Sequence, residues 1–284
     1  DRFSNSCREV AQGGRRGALM LTISVHHPQI KDFIKIKRDL KRVTGANISV
    51  RLTDEFLKAV ESEENFQLRF PVEADAEHVV SEETSALEVW DEIIECAHAS
   101  AEPGLLFWDN AIRSTPSDLY SHEGFASTST NPCGEIILSP YDSCRLMVIN
   151  LSSFIENAWQ KDAEFNFDQF NSVVMKAQRL MDDMVDIEME QVNKILKKIK
   201  SDPEPDHVKQ AERNLWENVL EQAKKGRRTG LGVTAVGDTI AALGMIYGSD
   251  ESIEVVEKIY KSLAVSAYTE SLGLLSLTIP SSSF

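Results

Sequence analysis

The segment from Asn131 to Glu135 places an amide, a thiol and a carboxylate at alternate positions, with Cys133 in the middle. In an extended segment, side chains at alternate positions leave the backbone on the same side. A hydrogen-bond donor, a sulfur and a base can therefore converge on one small molecule. Pro132 restricts the turn, and Gly134 allows close approach of the backbone. The pattern indicates a reactive site, although the same alternation is also typical of an edge strand with a polar face.

A second thiol, Cys144, follows Cys133 by eleven residues. An isolated cysteine is often only a small buried hydrophobe. Polar neighbours at alternate positions are unfavourable in a core, so we interpret Cys133 as reactive. The two other cysteines, Cys7 and Cys96, have no partner pattern, and we interpret both as structural. Four cysteines without a CxxC pair predict neither a disulfide framework nor a zinc site.

The composition is that of a globular chain without an apolar run long enough to cross a bilayer. A formal net charge of −15 argues against nucleic acid as a partner, because nucleic-acid-binding proteins carry a basic face. It does not exclude a nucleotide, since arginines such as Arg15 and Arg16 can bind phosphates. We find no signal segment, and we expect a cytoplasmic protein without a membrane partner.

Strand and helix patterns alternate along the chain, which predicts the α/β class. The predicted strands are residues 19–25, 47–52, 105–108 and 146–151. The predicted helices are residues 1–12, 29–37, 55–62, 86–100, 167–200, 207–225, 233–243 and 252–272, with the third capped by Thr53. The predicted loops are residues 13–18, 74–83, 114–132 and 226–232. A loop as long as residues 114–132 is usually functional.

Several other motifs have ordinary structural interpretations. Residues 230–232 lack the spacing of a dinucleotide-binding loop, so we assign their glycines to tight packing. The pair His26 and His27 is interpreted as a strand end, with one ring capping backbone groups. Residues 13–18 fit an ordinary turn and a ligand-binding loop equally well. An acidic group on the long helix lacks an ExxH pattern, so we interpret it as a solvated face rather than a di-iron site; it comprises Asp182, Asp183, Glu188 and Glu190.

Taken together, NPCGE at 131–135, DSCRL at 142–146 and INL at 149–151 resemble the catalytic subunit of ribonucleotide reductase. The resemblance is to the adenosylcobalamin-dependent (class II) form. It covers nearly the whole chain, because further matching segments occur in the same order at residues 12–18, 27–28, 47–50, 102–104 and 227–232.

The resemblance implies a radical chemistry for these residues. Cys133 would become a transient thiyl radical that takes the 3′ hydrogen of a ribonucleotide, and it should therefore lie in a deep, dry site. Glu135 would be the general base on the 3′ hydroxyl, and Asn131 would hydrogen-bond the ribose hydroxyls. Cys144 would be one half of the dithiol that reduces the 2′ position. The implied substrate-binding set is Asn131, Pro132, Cys133, Gly134 and Glu135.

The implied fold is part of a ten-stranded α/β barrel made from two half-barrels, in a single partial domain of residues 1–284. A finger loop at about 125–145 would cross the barrel, and a helical segment would span about 165–225. A specificity loop at 12–20 would relay the identity of the bound effector, with Gln12 and Arg15 approaching the substrate base. The residues assigned to this loop are Gln12, Gly13, Gly14, Arg15, Arg16, Gly17 and Ala18.

The implied partners are a ribonucleoside di- or triphosphate, dNTP or ATP effectors, adenosylcobalamin and a thioredoxin-like or small dithiol reductant. No metal ligands are expected. We find no upstream cysteine in a matching context to pair with Cys144, since Cys7 is too close to the specificity loop. The family's later phosphate-binding motif and C-terminal cysteine tail are also not found. We therefore expect an internal segment of the enzyme that is inactive alone and works with the remainder.

Two alternatives remain open. One is a class I reductase, whose radical comes from a separate di-iron subunit. Pro132, Gly134 and the eleven-residue offset to Cys144 favour the cobalamin form. The other is a catalytically dead nucleotide-binding or assembly module, and the retained thiol and carboxylate argue against it.

Overall fold

The computed structural model describes residues 1–10, 14–15 and 17–278, with side chains described through residue 274. It divides into two compact units, Asp1–Pro140 and Tyr141–Phe284. Three residues of the predicted specificity loop, Gln12, Gly13 and Arg16, lie outside the described residues. Within the described part of the chain, no helix combines the length and the apolar composition needed to cross a membrane.

The first unit contains a parallel sheet and two antiparallel strand pairs. Its helices are α1 Arg2–Glu9, α2 Ile30–Lys35, α3 Asp54–Glu61, α4 Ala86–Ser100 and α5 Trp108–Ser114. Its strands are β1 Met20–Ser24, β2 Asn47–Leu52, β3 Asn65–Phe70, β4 Val80–Ser85, β5 Gly104–Phe107, β6 Ser129–Thr130 and β7 Ile137–Leu138. Short 3-10 helices span Ile36–Arg38 and Pro116–Glu123. β2 pairs in parallel with β1 and β5, while β3 pairs antiparallel with β4, and β6 with β7.

The central strand β2 spans the residues predicted as a strand, 47–52. Ile48, Val50 and Leu52 are buried, and Val50 and Leu52 belong to a core that the helices α2, α3 and α4 cover. Thr53 begins α3 as predicted, because its Oγ1 accepts a hydrogen bond from the backbone N–H of Phe56 at 3.2 Å. The polar positions of β2 consequently lie on the face opposite this core.

The second unit is built on three long helices and a short parallel strand pair. Its strands are β8 Leu146–Asn150, β9 Ile155–Glu156, β10 Glu164–Phe165 and β11 Gly230–Thr234. Its helices are α6 Phe167–Ser201, α7 Asp206–Gly226, α8 Val236–Ala242 and α9 Asp250–Thr278, with a 3-10 helix at Leu151–Phe154. β8 and β11 are parallel, and β9 and β10 are antiparallel. α6 buries residues at helical spacing, Phe170, Val174, Ala177, Met181 and Val185. The first three share a core with residues of β8 and α9.

The predicted α/β class is confirmed. The strands of the described residues do not close into a barrel. The loop predicted at 74–83 is wrong from residue 80, because β4 is an exposed strand whose polar residues pair with β3. The loop predicted at 226–232 is wrong from Gly230, where β11 begins. A side chain at Gly230 would lie 2.8 Å from Leu146 and 3.2 Å from the carbonyl oxygen of Arg145, so its assignment to tight packing is correct.

Candidate active site

The segment with Asn131, Cys133 and Glu135 forms the tip of the hairpin between β6 and β7. The backbone N–H of Asn131 donates to the carbonyl oxygen of Ile136 at 3.1 Å, and the N–H of Gly134 donates to that of Asn131 at 3.0 Å. Gly134 has φ = +83°, which a residue with a side chain rarely adopts. We refer to residues 128–138 as the hairpin and to residues 131–136 as its tip.

The side chain of Asn131 organises the tip. Its Nδ2 donates to Oε1 of Glu135 at 2.6 Å, and its Oδ1 accepts from the backbone N–H of Ile136 at 3.0 Å. Asn131 is only 7% exposed, so its amide is itself shielded from water. The amide thereby fixes the direction of the Glu135 carboxylate. The alternating pattern predicted that the side chains of Asn131, Cys133 and Glu135 converge, and this contact confirms it for Asn131 and Glu135.

Cys133 lies between these two residues, and its side chain is exposed. Glu135 is exposed as well. The expectation of a deep, dry thiol is therefore wrong for this structure, because the open sheet β1–β2–β5 does not enclose the hairpin. A thiol, a carboxylate and an amide that holds this carboxylate are thus presented together on an accessible turn.

Side chains of the sheet hold the hairpin in place. Nδ2 of Asn47 donates to the carbonyl oxygen of Pro132 at 2.7 Å, directly before Cys133. Nη1 of Arg51 donates to the carbonyl oxygen of Thr128 at 3.2 Å. The sequence analysis did not assign these two residues to the site. The polar residues at alternate positions of an otherwise buried strand were the signal that could have identified them.

Arg51 is partly buried behind the hairpin. Its guanidinium lies 5.0 Å from the ring centroid of Trp108, at a distance typical of a cation–π contact. Burial lowers the pKa of Arg51, since removal from water disfavours the charged form. The planar ring and the carbonyl of Thr128 thus hold this cation in one orientation.

A cleft of about 570 Å³ lies beside the tip of the hairpin. Pro132 and Asn47 form part of its lining, together with Gly17 and Ala18 from the end of the predicted specificity loop. The other lining residues are Arg8, Leu19, Lys37, Thr44, Gly45 and Ala46. Two other residues of that loop, Gly14 and Arg15, are exposed. The volume lies in the range of small-molecule sites.

Cys144 lies in the second unit, immediately before β8, and is exposed. Its neighbour Arg145 is buried, with a side chain that is 5% exposed. Nε of Arg145 donates to Oε2 of Glu188 on α6 at 2.5 Å, and Nη1 donates to the carbonyl oxygen of Arg228 at 2.8 Å. A buried ion pair therefore fixes the backbone beside Cys144.

Further arginine–carboxylate pairs surround this segment. Nε of Arg228 lies 2.9 Å from Oδ2 of Asp142, two residues before Cys144. Nε of Arg227 donates to Oδ1 of Asp182 at 2.7 Å, and Nη1 donates to Oδ1 of Asp186 at 2.8 Å. These carboxylate contacts raise the pKa of Arg227.

The prediction that the acidic group on the long helix is only a solvated face is wrong for Asp182 and Glu188. Both bind arginines from the segments before β11 and β8. Asp183 does form an exposed pair with Arg179 one turn earlier on α6. The sequence pattern gave no sign of the difference, because the partners are remote along the chain.

The remaining sequence interpretations concern structural residues. The ring of His26 is 1% exposed, and its nitrogens lie 2.9 Å from the carbonyl oxygen of Gln67 and 2.8 Å from Oγ1 of Thr53. The predicted capping role of one histidine is thus confirmed.

Cys96 belongs to the core of the first unit, as expected of a structural cysteine. Cys7 is partly buried, and a side chain at Gly17 would lie 2.9 Å from its sulfur.

The sequence model of the ribonucleotide reductase barrel domain matches residues 1–284. The chain is 31% identical over 274 residues to a vitamin B12-dependent ribonucleoside-diphosphate reductase of Mycobacterium tuberculosis (strain CDC 1551 / Oshkosh), covering 96% of this chain and 34% of the relative. It is 32% identical over 252 residues to the protein of that name from Thermoplasma acidophilum, covering 88% of this chain and 28% of the relative. The chain thus spans about a third of the length of these relatives.

Proposed function

The chain belongs to the ribonucleotide reductase barrel-domain family, and from this premise we propose that it carries the radical site for reduction of ribonucleotides to 2′-deoxyribonucleotides. The observation that carries the proposal is the hydrogen bond from Asn131 to Glu135 at 2.6 Å, with Cys133 between them on one exposed turn. The relatives named above are ribonucleoside-diphosphate reductases, so we propose a ribonucleoside diphosphate as the substrate.

Each residue of the tip has a separate role in this proposal. The sulfur of Cys133, as a thiyl radical, takes the hydrogen atom from C3′ and becomes a thiol again, which leaves the radical on C3′. Glu135 accepts the proton of the 3′ hydroxyl while the 2′ hydroxyl leaves as water. Asn131 orients Glu135 and, when a ribose is bound, shares its amide with the ribose hydroxyls. A carboxylate that is already oriented needs little reorganisation when the substrate arrives.

The leaving water and the new C2′–H bond require two electrons and two protons from a dithiol. We propose that Cys144 supplies one of its two sulfurs and ends in a disulfide. A thioredoxin-like protein or a small dithiol would then return the disulfide to the reduced state. The second sulfur of this pair is not assigned to a residue of the chain.

The proposed cofactor is adenosylcobalamin, since several relatives are named as vitamin B12-dependent. When bound, it would supply the radical chemistry that converts the Cys133 thiol to a thiyl radical. The chain fits this role at Cys133, whose exposed sulfur can be reached by a bulky reactant from outside the hairpin. Its neighbours Pro132 and Gly134 are partly buried and leave the sulfur exposed.

We propose that the nucleotide lies across the cleft beside the tip, with its ribose towards Cys133. Its base would then reach the end of the specificity loop at Gly17 and Ala18, which line the same cleft. Effector binding by dNTP or ATP would act on the base through Arg15 and Gln12. In the complete enzyme, we propose that these strands are part of a ten-stranded α/β barrel with a finger loop at about 125–145. A cytoplasmic location is part of this proposal.

A reduction assay on the full-length gene product tests the proposal. The expected result is conversion of a ribonucleoside diphosphate that requires adenosylcobalamin and a dithiol and is lost in Cys133→Ala. Activity that requires a second, iron-containing protein instead would move the enzyme to class I. A full-length product without reductase activity under both conditions would favour the dead nucleotide-binding module.

A further inference from the structure

Among the described residues, three polar contacts connect the hairpin to the sheet β1–β2–β5. Asn47 at the start of β2 binds the carbonyl of Pro132, and Arg51 near its end binds the carbonyl of Thr128. Between them, Oγ1 of Thr22 on β1 lies 3.3 Å from Oγ of Ser129. In the β1–β2 pairing, Thr22 is level with Ser49, midway between Asn47 and Arg51.

The spacing of the contacts fixes the position of the hairpin along the sheet. Asn47 and Arg51 are four positions apart, and so are Thr128 and Pro132, which run in the opposite chain direction. The outer two contacts therefore join antiparallel segments that span the same number of positions. A shift of the hairpin by one residue would break all three contacts together, since side chains and carbonyls would no longer face each other.

We infer that Asn47, Thr22 and Arg51 form a polar ladder that positions Cys133 for its reaction. The inference rests on the proposed function, because it concerns the same thiol. Asn47 is the decisive member, since its contact is to the carbonyl of the residue directly before Cys133. It acts on the reacting sulfur through Pro132, and it is therefore a positioning residue rather than a catalytic one.

The ladder explains how an exposed turn can hold a reactive atom in place. β6 and β7 are only two residues long, so their own pairing provides few hydrogen bonds. The side chain of Asp118 adds a contact at the base, where its Oδ1 accepts from the backbone N–H of Ser127 at 2.9 Å. A radical reaction requires the sulfur and C3′ to approach within van der Waals distance, and small displacements lower its rate.

The variant Asn47→Asp tests the ladder, because it keeps the shape of the side chain but replaces the amide donor by an acceptor. Hydrogen exchange of the backbone amides is measured on the 284-residue chain. The matched control is Asn65→Asp, at the first residue of β3 in the same unit. We expect exchange about fivefold faster at the tip in Asn47→Asp, the factor for the loss of one net hydrogen bond, and no change there in the control.

Unchanged exchange at the tip in Asn47→Asp would overturn the inference. An equal increase throughout the first unit would also overturn it, because the residue would then support the fold in general. In the full-length gene product, the same variant is expected to lower kcat with KM nearly unchanged. If the wild-type enzyme has no reductase activity, the proposed function fails, while the exchange result still decides whether Asn47 positions the hairpin.

Discussion

Cys133 and Cys144 both lie in exposed segments, but different interactions hold these segments. The hairpin that carries Cys133 is fixed mainly by hydrogen bonds of amides, hydroxyls and backbone groups. The segment that carries Cys144 is fixed by arginine–carboxylate pairs, one of them with a buried guanidinium. Each neutral hydrogen bond contributes modestly to the free energy of folding, and its loss has a local effect. Removing one partner of a buried ion pair lowers the stability strongly, because the other charge is left unpaired. The two segments should therefore respond differently to the same kinds of change.

The largest effect is expected at the buried ion pair. Arg145→Met removes the cation and leaves the Glu188 carboxylate partly buried without its Arg145 partner. Loss of one partner of a buried pair costs about 3 kcal/mol, so the free energy of unfolding of the second unit should fall by about that amount. Hydrogen exchange in β8 and α6 measures the change. The control Arg179→Met breaks an exposed pair with Asp183 and should cost about 0.5 kcal/mol; equal losses in both variants would contradict the comparison.

A smaller effect is expected from Asn131→Ala in the hairpin. The substitution removes two hydrogen bonds and leaves the N–H of Ile136 without its side-chain acceptor. We expect a loss of about 2 kcal/mol that is confined to the tip, measured as faster amide exchange at residues 131–136. Asn193→Ala, at an exposed position on α6, is the control. A loss of protection that extends to β2 would contradict a local role.

Mild acid should lower the stability of the first unit before that of the second. Burial lowers the pKa of His26 below its ordinary value, and the positive charge of Arg69 lowers it further. The carbonyl of Gln67 and the carboxylate of Glu55, which lies 3.6 Å from Nε2, oppose this shift. The unfolded chain then binds more protons than the folded unit, so stability falls as the pH falls below about 6.5. Urea unfolding at pH 7.5 and 5.5 measures this difference. His26→Gln should reduce the pH dependence but not abolish it, because burial also lowers the pKa of His27. An unchanged slope in the variant would show that His26 is not responsible.

The smallest effect on stability is expected from Glu135→Gln. An amide oxygen can accept the same hydrogen bond from Asn131, so the hairpin should keep its free energy of unfolding within about 0.5 kcal/mol. The variant cannot act as a base, and the full-length gene product should lose its reductase activity. Thermal unfolding and the activity assay together check both parts. A large loss of stability would mean that the charge of Glu135 has a structural role.

The separation of interacting residues along the chain explains which features the sequence could predict. Local patterns were sufficient for the cap at Thr53, the strand β2 and the long helix α6. They also predicted that Asn131 and Glu135 lie together, since the two residues are close in the chain. The partners of Arg145 and Asn47 could not be predicted, because these contacts join residues 43 and 85 positions apart. β4 was missed because its side chains are polar and exposed, so only its pairing with β3 identifies it as a strand.

The most direct test follows the fate of the C3′ hydrogen in the full-length gene product with Cys133→Ser and Cys144→Ser. A ribonucleoside diphosphate labelled with tritium at C3′ is supplied together with adenosylcobalamin, and tritium release to water and deoxyribonucleotide formation are measured. If Cys133 cleaves the C3′–H bond and Cys144 acts later as a reductant, Cys144→Ser will release tritium without forming the deoxyribonucleotide. Cys133→Ser will do neither. Tritium release by Cys133→Ser would contradict the assignment of the radical to this residue.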